Sequence, residues 1–235
     1  HKLKLSLLGF KDRYDIDDHI QYVDVTTREL QKDTTPEQVV EFMRAGNERF
    51  VRGEQVARDP RRQIGATSEG QFPLAVVLAC MDSRIATEMV FDLGLGDIFS
   101  VRLAGNVAAS KALGSIEYGC AVAGAKVLLV MGHTRCGAVN ATIDLVASGS
   151  DPKEATGCDN IASMTSCICR AIDLETTVKE NRVSSNEKFS DLVTELNVRQ
   201  TAKEIPEKSG TIKRLVDAGT IRIAGAVYDV RTGKV

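Results

Sequence analysis

Between residues 74 and 131 three short apolar runs recur: Leu74-Ala75-Val76-Val77-Leu78-Ala79, Ile98-Phe99-Ser100-Val101 and Lys126-Val127-Leu128-Leu129-Val130-Met131. Helix-like stretches separate them; one, at 113–122, carries small residues (Gly114, Gly119, Ala121) suited to close packing. Strand, helix, strand, helix, strand leaves few topologies open, and predicts a parallel sheet wound by right-handed crossovers. Thr35-Pro36 makes a helix start, with Thr as cap and Pro at the first position. Val39, Phe42, Met43, Gly46 and Phe50 then recur at helical spacing, so a helix is expected to about Arg52. Residues 53–72 read as a polar loop. Further helices are expected at 136–147, 160–180, 188–204 and 210–218, and a strand or terminal pair at 221–224 and 227–230. The expected class is α/β: a mostly parallel central β-sheet flanked by helices. Residues 1–34 read as an N-terminal arm with the acidic cluster Asp15, Asp17 and Asp18, and 35–235 as a single domain.

The 235 residues suffice for one such domain with its own core. Thirty basic residues against 32 acidic ones give a net charge of −2, which argues for no nucleic-acid or membrane-surface partner. No apolar run approaches the ~20 residues that cross a bilayer. The chain starts at His1 rather than Met, so the numbering is expected to begin inside a longer precursor. Six cysteines stand at 80, 120, 136, 158, 167 and 169. That is too sparse for the disulfide framework of a small secreted domain, and suits reduced thiols with a metal-binding subset.

The chemistry concentrates in two strings, Cys80-Met81-Asp82-Ser83-Arg84 and His133-Thr134-Arg135-Cys136, each directly after an apolar run. In an open α/β sheet, ligands gather beyond the carboxyl ends of the strands, so residues far apart in sequence can meet there. His133-x-x-Cys136 lets one turn entering a helix supply two donors, and the helix start favours thiolate at Cys136. Two thiolates and an imidazole prefer zinc to hard cations, and three protein ligands leave a fourth position open, as in a catalytic site. Cys120 reads as a small apolar residue, and Cys158, Cys167 and Cys169 as packing or surface thiols. His1 and His19 fall in the polar arm and read as solvated.

Asp82 and Arg84 lie two and four residues past Cys80. Asp82 could take the fourth metal position or accept a hydrogen bond from metal-bound water, with Arg84 keeping it ionised through a bidentate contact. The bland alternative is a loop salt bridge.

Taken together these residues resemble the β-class carbonic anhydrases, whose signature is Cys-x-Asp-x-Arg followed by His-x-x-Cys. Gly46-Asn47-Glu48-Arg49-Phe50, Gln71-x-Pro73, Ile116-Glu117-Tyr118, Glu195-Leu196-Asn197-Val198 and Gly225-Ala226-Val227-Tyr228-Asp229 extend the resemblance over about residues 36–231. It implies one zinc per subunit on Cys80, His133 and Cys136, with Asp82 and Arg84 as the catalytic dyad. Gln71 would hydrogen-bond bicarbonate, Phe99 and Tyr118 would line a narrow apolar pocket partly supplied by a partner subunit, and the Gly137 amide would help hold the anion. It further implies homodimers, possibly dimers of dimers, with the N-terminal helix packing on the partner. Where the family usually has Arg-Asn after the second strand, this chain reads Arg102-Leu103. Val77 and Lys203 stand where one branch builds a second bicarbonate site, so no such switch is expected, and Asp82 is expected to face Arg84 rather than zinc.

The expected function is the carbonate dehydratase reaction: reversible hydration of CO2 to bicarbonate and a proton, by zinc-bound hydroxide that the Asp82–Arg84 dyad orients. Partners are CO2, bicarbonate and a second copy of the chain. The expected location is cytoplasmic, or an organelle stroma or matrix if an upstream transit peptide was removed. Two rivals keep the same residues: hydrolysis of COS or CS2, and a non-enzymatic structural zinc or bicarbonate-sensing module.

Overall fold

The computed structural model describes residues 25–235 in full, and 14–17 and 20–23 by backbone alone. The side chains of the acidic cluster Asp15, Asp17 and Asp18, and of His1 and His19, read above as solvated histidines, lie outside the described residues. In chain order the elements are β1 (Tyr14–Asp17), β2 (Ile20–Val23), α1 (Arg28–Asp33), α2 (Pro36–Arg52), α3 (Pro60–Thr67), β3 (Ala75–Ala79), α4 (Thr87–Val90), β4 (Ile98–Arg102), α5 (Ser110–Glu117), β5 (Val127–His133), α6 (Gly137–Ser148), α7 (Pro152–Thr156), α8 (Ala162–Leu174), α9 (Glu187–Lys208), α10 (Gly210–Asp217) and β6 (Arg222–Tyr228). A 3-10 turn at Ala104–Asn106 follows β4, and a π-helical turn at Tyr118–Val122 follows α5. β1 and β2 pair antiparallel.

The three apolar runs and β6 form one parallel sheet in the order β4-β3-β5-β6. β3 and β5 are central and buried along their whole length, which is why they read as continuous apolar text. Their side chains alternate between two cores. Ala75, Val77 and Ala79 with Val127, Leu129 and Met131 face α2, α6 and α8. Val76 and Leu78 with Leu128 and Val130 face α5, α10 and the distal part of α9.

α2 starts with a complete capping box: the Thr35 hydroxyl accepts from the Gln38 amide while Gln38 caps Thr35 N. The Gly-Asn-x-Arg-Phe string inside it is a clasp. A Cβ on Gly46 would lie 1.9 Å from the Phe91 carbonyl oxygen, so only glycine allows this approach. Asn47 donates to the carbonyls of Val90 (3.0 Å) and Gly233 (2.8 Å) and accepts from Val235 N. Arg49 reaches the buried Asp92 at 2.6 Å.

Some elements depart from expectation. Residues 60–67 are helical because the Asp59 carboxylate caps the Arg61 and Arg62 amides and Pro60 sets the first position. The helix expected over 160–180 stops at Leu174, where buried Glu175 gathers the amides of Thr177 and Val178 into a turn. α9 continues past 204 through Pro206, whose missing N–H costs one bond close to the helix end. Gly225 and Ala226 pair with Val130 and Met131, so of the two forms expected for the terminal residues the single strand is found. Of the small residues at 113–122, Gly119 admits Val76 and Phe99, whereas Gly114 faces open space. Residues 25–33 of the expected arm dock on this body through Thr26 and Gln31. Among the described residues no helix is long and apolar enough to cross a membrane.

Candidate metal centre

The strand order reverses at β3: the chain passes from β3 to β4 on one side and then to β5 on the other. A crevice therefore opens beyond the carboxyl ends of β3 and β5. Cys80 is the first residue past β3 and His133 the last of β5, and the register Ala79↔Met131 puts them at neighbouring strand ends, one residue out of step. Arg135 adopts a left-handed backbone (φ 57°), which bends the chain so that Cys136 returns to the crevice as N-cap of α6.

One donor atom from each of Cys80, His133 and Cys136 lies within 4.8 Å of the others, and all three residues are buried. The two sulfurs are 3.9 Å apart. Ligands about 2.3 Å from a tetrahedral zinc sit about 3.8 Å from each other, so the sulfurs are already at metal-bridging separation. His133 Nδ1 lies 3.0 Å from the Thr134 carbonyl oxygen, an acceptor only, so Nδ1 carries the proton and Nε2 keeps its lone pair. That Nε2 is buried and, among the described residues, has no hydrogen-bond partner. A buried unpaired acceptor costs stability unless something meets it. The donor set and the orphaned nitrogen both fit zinc.

The sulfurs differ electrostatically. The two thiols share one hydrogen bond, and with His133 and the Gly105 amide (3.4 Å) it outweighs burial and holds Cys80 well below the ordinary thiol range. The same bond and burial push Cys136 up, against the amides of Ala138 and Val139 at the start of α6. Gly105 reaches Cys80 because its φ is 69°, and Asn197 pins it by donating to its carbonyl at 2.9 Å.

Asp82 stands beside the cluster without joining it. Its Oδ2 is 3.9 Å from His133 Nε2, while both oxygens receive Arg84, through Nε at 2.9 Å and Nη2 at 2.8 Å. Those bonds hold the carboxyl down to about 2 against the effect of burial. Arg84 also donates to the Arg135 carbonyl at 3.2 Å, linking the two motif loops. Arg102, at the end of β4, donates to the carbonyls of Cys80 (3.1 Å) and Asp82 (2.5 Å). Arg102, Gly105 and Asn197 shape the site without being metal ligands. They bond to sulfur or main chain, which leaves no spacing signal; the clues are that β4 neighbours β3 and that Asn197 falls in a string that carries the family resemblance.

The other expected site residues divide. Gly137 is exposed at the first position of α6, next to Cys136, and a Cβ there would meet nothing within 4 Å. Gln71, also exposed, precedes β3, so the five-residue strand, about 17 Å long, separates it from Cys80. Phe99 and Tyr118 come together, ring centroids 6.2 Å apart, but on the β4 edge and packed on the face opposite to the core that contains Cys80. One chain thus unites Cys80, His133, Cys136, Asp82, Arg84 and Gly137, and leaves Gln71, Phe99 and Tyr118 elsewhere.

A family model described as carbonic anhydrase matches residues 75–235. Carbonic anhydrase 2 of Mycobacterium tuberculosis is 32% identical over 204 residues, covering 86% of this chain and 92% of that protein. The carbonic anhydrase of Mycolicibacterium smegmatis is 34% identical over 195 residues, covering 82% and 88%. In fold the chain is similar to the Coccomyxa beta-carbonic anhydrase solved in complex with acetazolamide, with a TM-score of 0.62 at 20% identity over 84% of this chain and 80% of that one. Sequence, fold and ligand geometry agree, and the chain belongs to the β-carbonic anhydrase family.

Proposed function

We propose that this protein is a carbonate dehydratase, catalysing the reversible hydration of CO2 with one zinc per chain on Cys80, His133 and Cys136. The observation that carries this reading is the buried, unpartnered Nε2 of His133 beside two sulfurs 3.9 Å apart, with an ionised carboxylate next to them. Zinc bound there supplies a Lewis acid that brings the pKa of water towards neutrality.

The chain's own residues supply the rest. Asp82, kept ionised by Arg84, accepts a hydrogen bond from the attacking water and fixes the direction of its lone pair. The Gly137 amide, at the positive end of α6, helps hold the bicarbonate anion. Among the described residues His133 is the single histidine, and it sits in the ligand set. Solvent or buffer carries the released proton away.

Gln71, Phe99 and Tyr118 act across a homodimer interface, on the zinc site of a second copy. The support is their distance from their own cluster, the unpaired edge of β4, and the exposed Tyr118 and Val122 (58% and 72%) beside it. The N-terminal arm, 1–34, and the zinc domain, 35–235, belong to one such subunit, and dimers can pair further. Free cysteines throughout suit the cytoplasm or an organelle stroma or matrix. Zinc content measured with stopped-flow CO2 hydration tests the whole reading. About one zinc per chain and turnover that vanishes on chelation are expected; a preparation devoid of transition metal yet fully competent would overturn it.

A further inference from the structure

The side-chain amide of Gln31 joins two segments that the preceding reading assigns to the substrate. Its Nε2 donates to the carbonyls of Pro73 (2.7 Å) and Ala123 (2.8 Å). Pro73 lies two residues after Gln71. Ala123 closes the π-helical turn that begins at Tyr118, its amide donating to the Tyr118 carbonyl at 3.0 Å. Gln31 is only 8% exposed, and both hydrogens of its amide are used. Gly124 makes room for it: its φ is 83°, and a Cβ there would lie 3.0 Å from Gln31 Oε1.

The same segment reaches the third substrate-side residue. Thr26 donates twice to Asp97 Oδ1, from N at 3.1 Å and from Oγ1 at 2.5 Å, and Asp97 stands two residues before Phe99. Arg28 stacks over the ring of Phe72, next to Gln71, at 4.8 Å. These links are not needed to close the sheet. The main chain does that already: Leu74 N donates to the Asp97 carbonyl and the Leu74 carbonyl accepts from Lys126 N, both at 2.8 Å. What Thr26, Arg28 and Gln31 add is a fixed spacing between three segments that no single strand holds together.

We propose that residues 25–33 form a positioning strap for the substrate-facing edge, with Gln31 as its central positioning residue. It sets where Gln71, Phe99 and Tyr118 stand when that edge completes a zinc site. The inference rests on the reading that those three residues meet bicarbonate. Loosening the strap weakens binding of bicarbonate and leaves the metal chemistry in place.

The test is bicarbonate dehydration by the zinc-loaded full chain, comparing Gln31→Ala, Arg28→Ala, Gln71→Leu and the Gln31→Ala/Gln71→Leu double variant. Arg28 is exposed, so its variant carries the test if Gln31→Ala does not fold. Gln31→Ala or Arg28→Ala is expected to raise KM for bicarbonate about three- to tenfold, with kcat within about twofold and zinc content unchanged. The double variant is expected to match Gln71→Leu, because both changes remove one contact. If Gln71→Leu raises KM while the strap variants do not, or if the two effects multiply, the strap proposal is wrong. If Gln71→Leu leaves KM unchanged, the underlying assignment of Gln71 fails, and the strap's role with it.

Discussion

Arg84 grips both carboxylate oxygens of Asp82, with Nε 2.9 Å from Oδ1 and Nη2 2.8 Å from Oδ2, while Oδ2 stays 3.9 Å from His133 Nε2. Asp82 is thus held near the metal position but spoken for by a cation. A carboxylate in that state accepts hydrogen bonds and does not compete for the fourth ligand place. Asp82→Asn keeps the shape and removes the charge. It is expected to lower kcat/KM for CO2 hydration by about a hundredfold or more, with zinc content unchanged. Stopped-flow hydration alongside metal analysis checks this, and undiminished turnover would remove Asp82 from the mechanism.

The cysteines sort by environment. Cys158 is exposed, and Cys167 and Cys169 are half-buried on α8. Burial pushes Cys120 up to about 12, far from thiolate at neutral pH. A thiol reagent applied to the zinc-loaded protein should modify Cys158 first and Cys167 and Cys169 more slowly. Cys80 and Cys136 should become reactive only after chelation, and Cys120 only on unfolding. Mass mapping of the labelled peptides reads the order; early labelling of Cys80 in the metal-loaded protein would contradict the ligand assignment.

Gly46 has no room for a side chain. Gly46→Ala forces a methyl group against the Phe91 carbonyl and should destabilise the fold by about 3 kcal/mol through overpacking and backbone shift. Urea unfolding gives the value, and a midpoint equal to that of the parent protein would mean that α2 slides freely over α4.

Glu204 supplies a pH-dependent increment of stability. Burial alone would raise its pKa, but hydrogen bonds from Lys208, Gln200 and Arg170 prevail and bring it from 4.5 to about 2. A carboxyl group whose value falls on folding supports the folded state fully above the unfolded value, and this support is lost as pH drops from about 4.5 towards 2. The Tm difference between the parent and Glu204→Gln should be steady between about pH 6 and 8 and shrink below about pH 4. A difference that persists undiminished into acid would assign the effect of the substitution to packing.

The metal cluster was legible because few residue types bind zinc and because strand ends are where an open sheet collects ligands. Cys80, His133 and Cys136 meet both conditions in plain text. The fold was legible from β3 and β5, whose burial on both faces writes itself as uninterrupted apolar runs. Other contacts were not. Arg102 and Gln31 act on main-chain carbonyls, which any residue offers, so no partner type marks them. Residues 60–67 hid a helix because their composition is polar, although Asp59-Pro60 carries the start signal. The placement of Gln71 beyond the opposite end of β3 from Cys80 follows from strand length, and a motif written in one line conceals it.

The direct pairing of β3 with β5 has a consequence for how such chains can vary. Everything between Arg84 and Lys126 leaves the sheet's centre, builds the outer strand with its helices, and returns. Added or deleted residues in the parts of that excursion that do not touch Cys80 or Asp82, away from residues 102–105, would alter the subunit's flank without moving the cation's seat. A slip of one residue along β5, by contrast, would turn His133 to the wrong side of the sheet and scatter the ligands, since neighbouring positions on a strand point opposite ways.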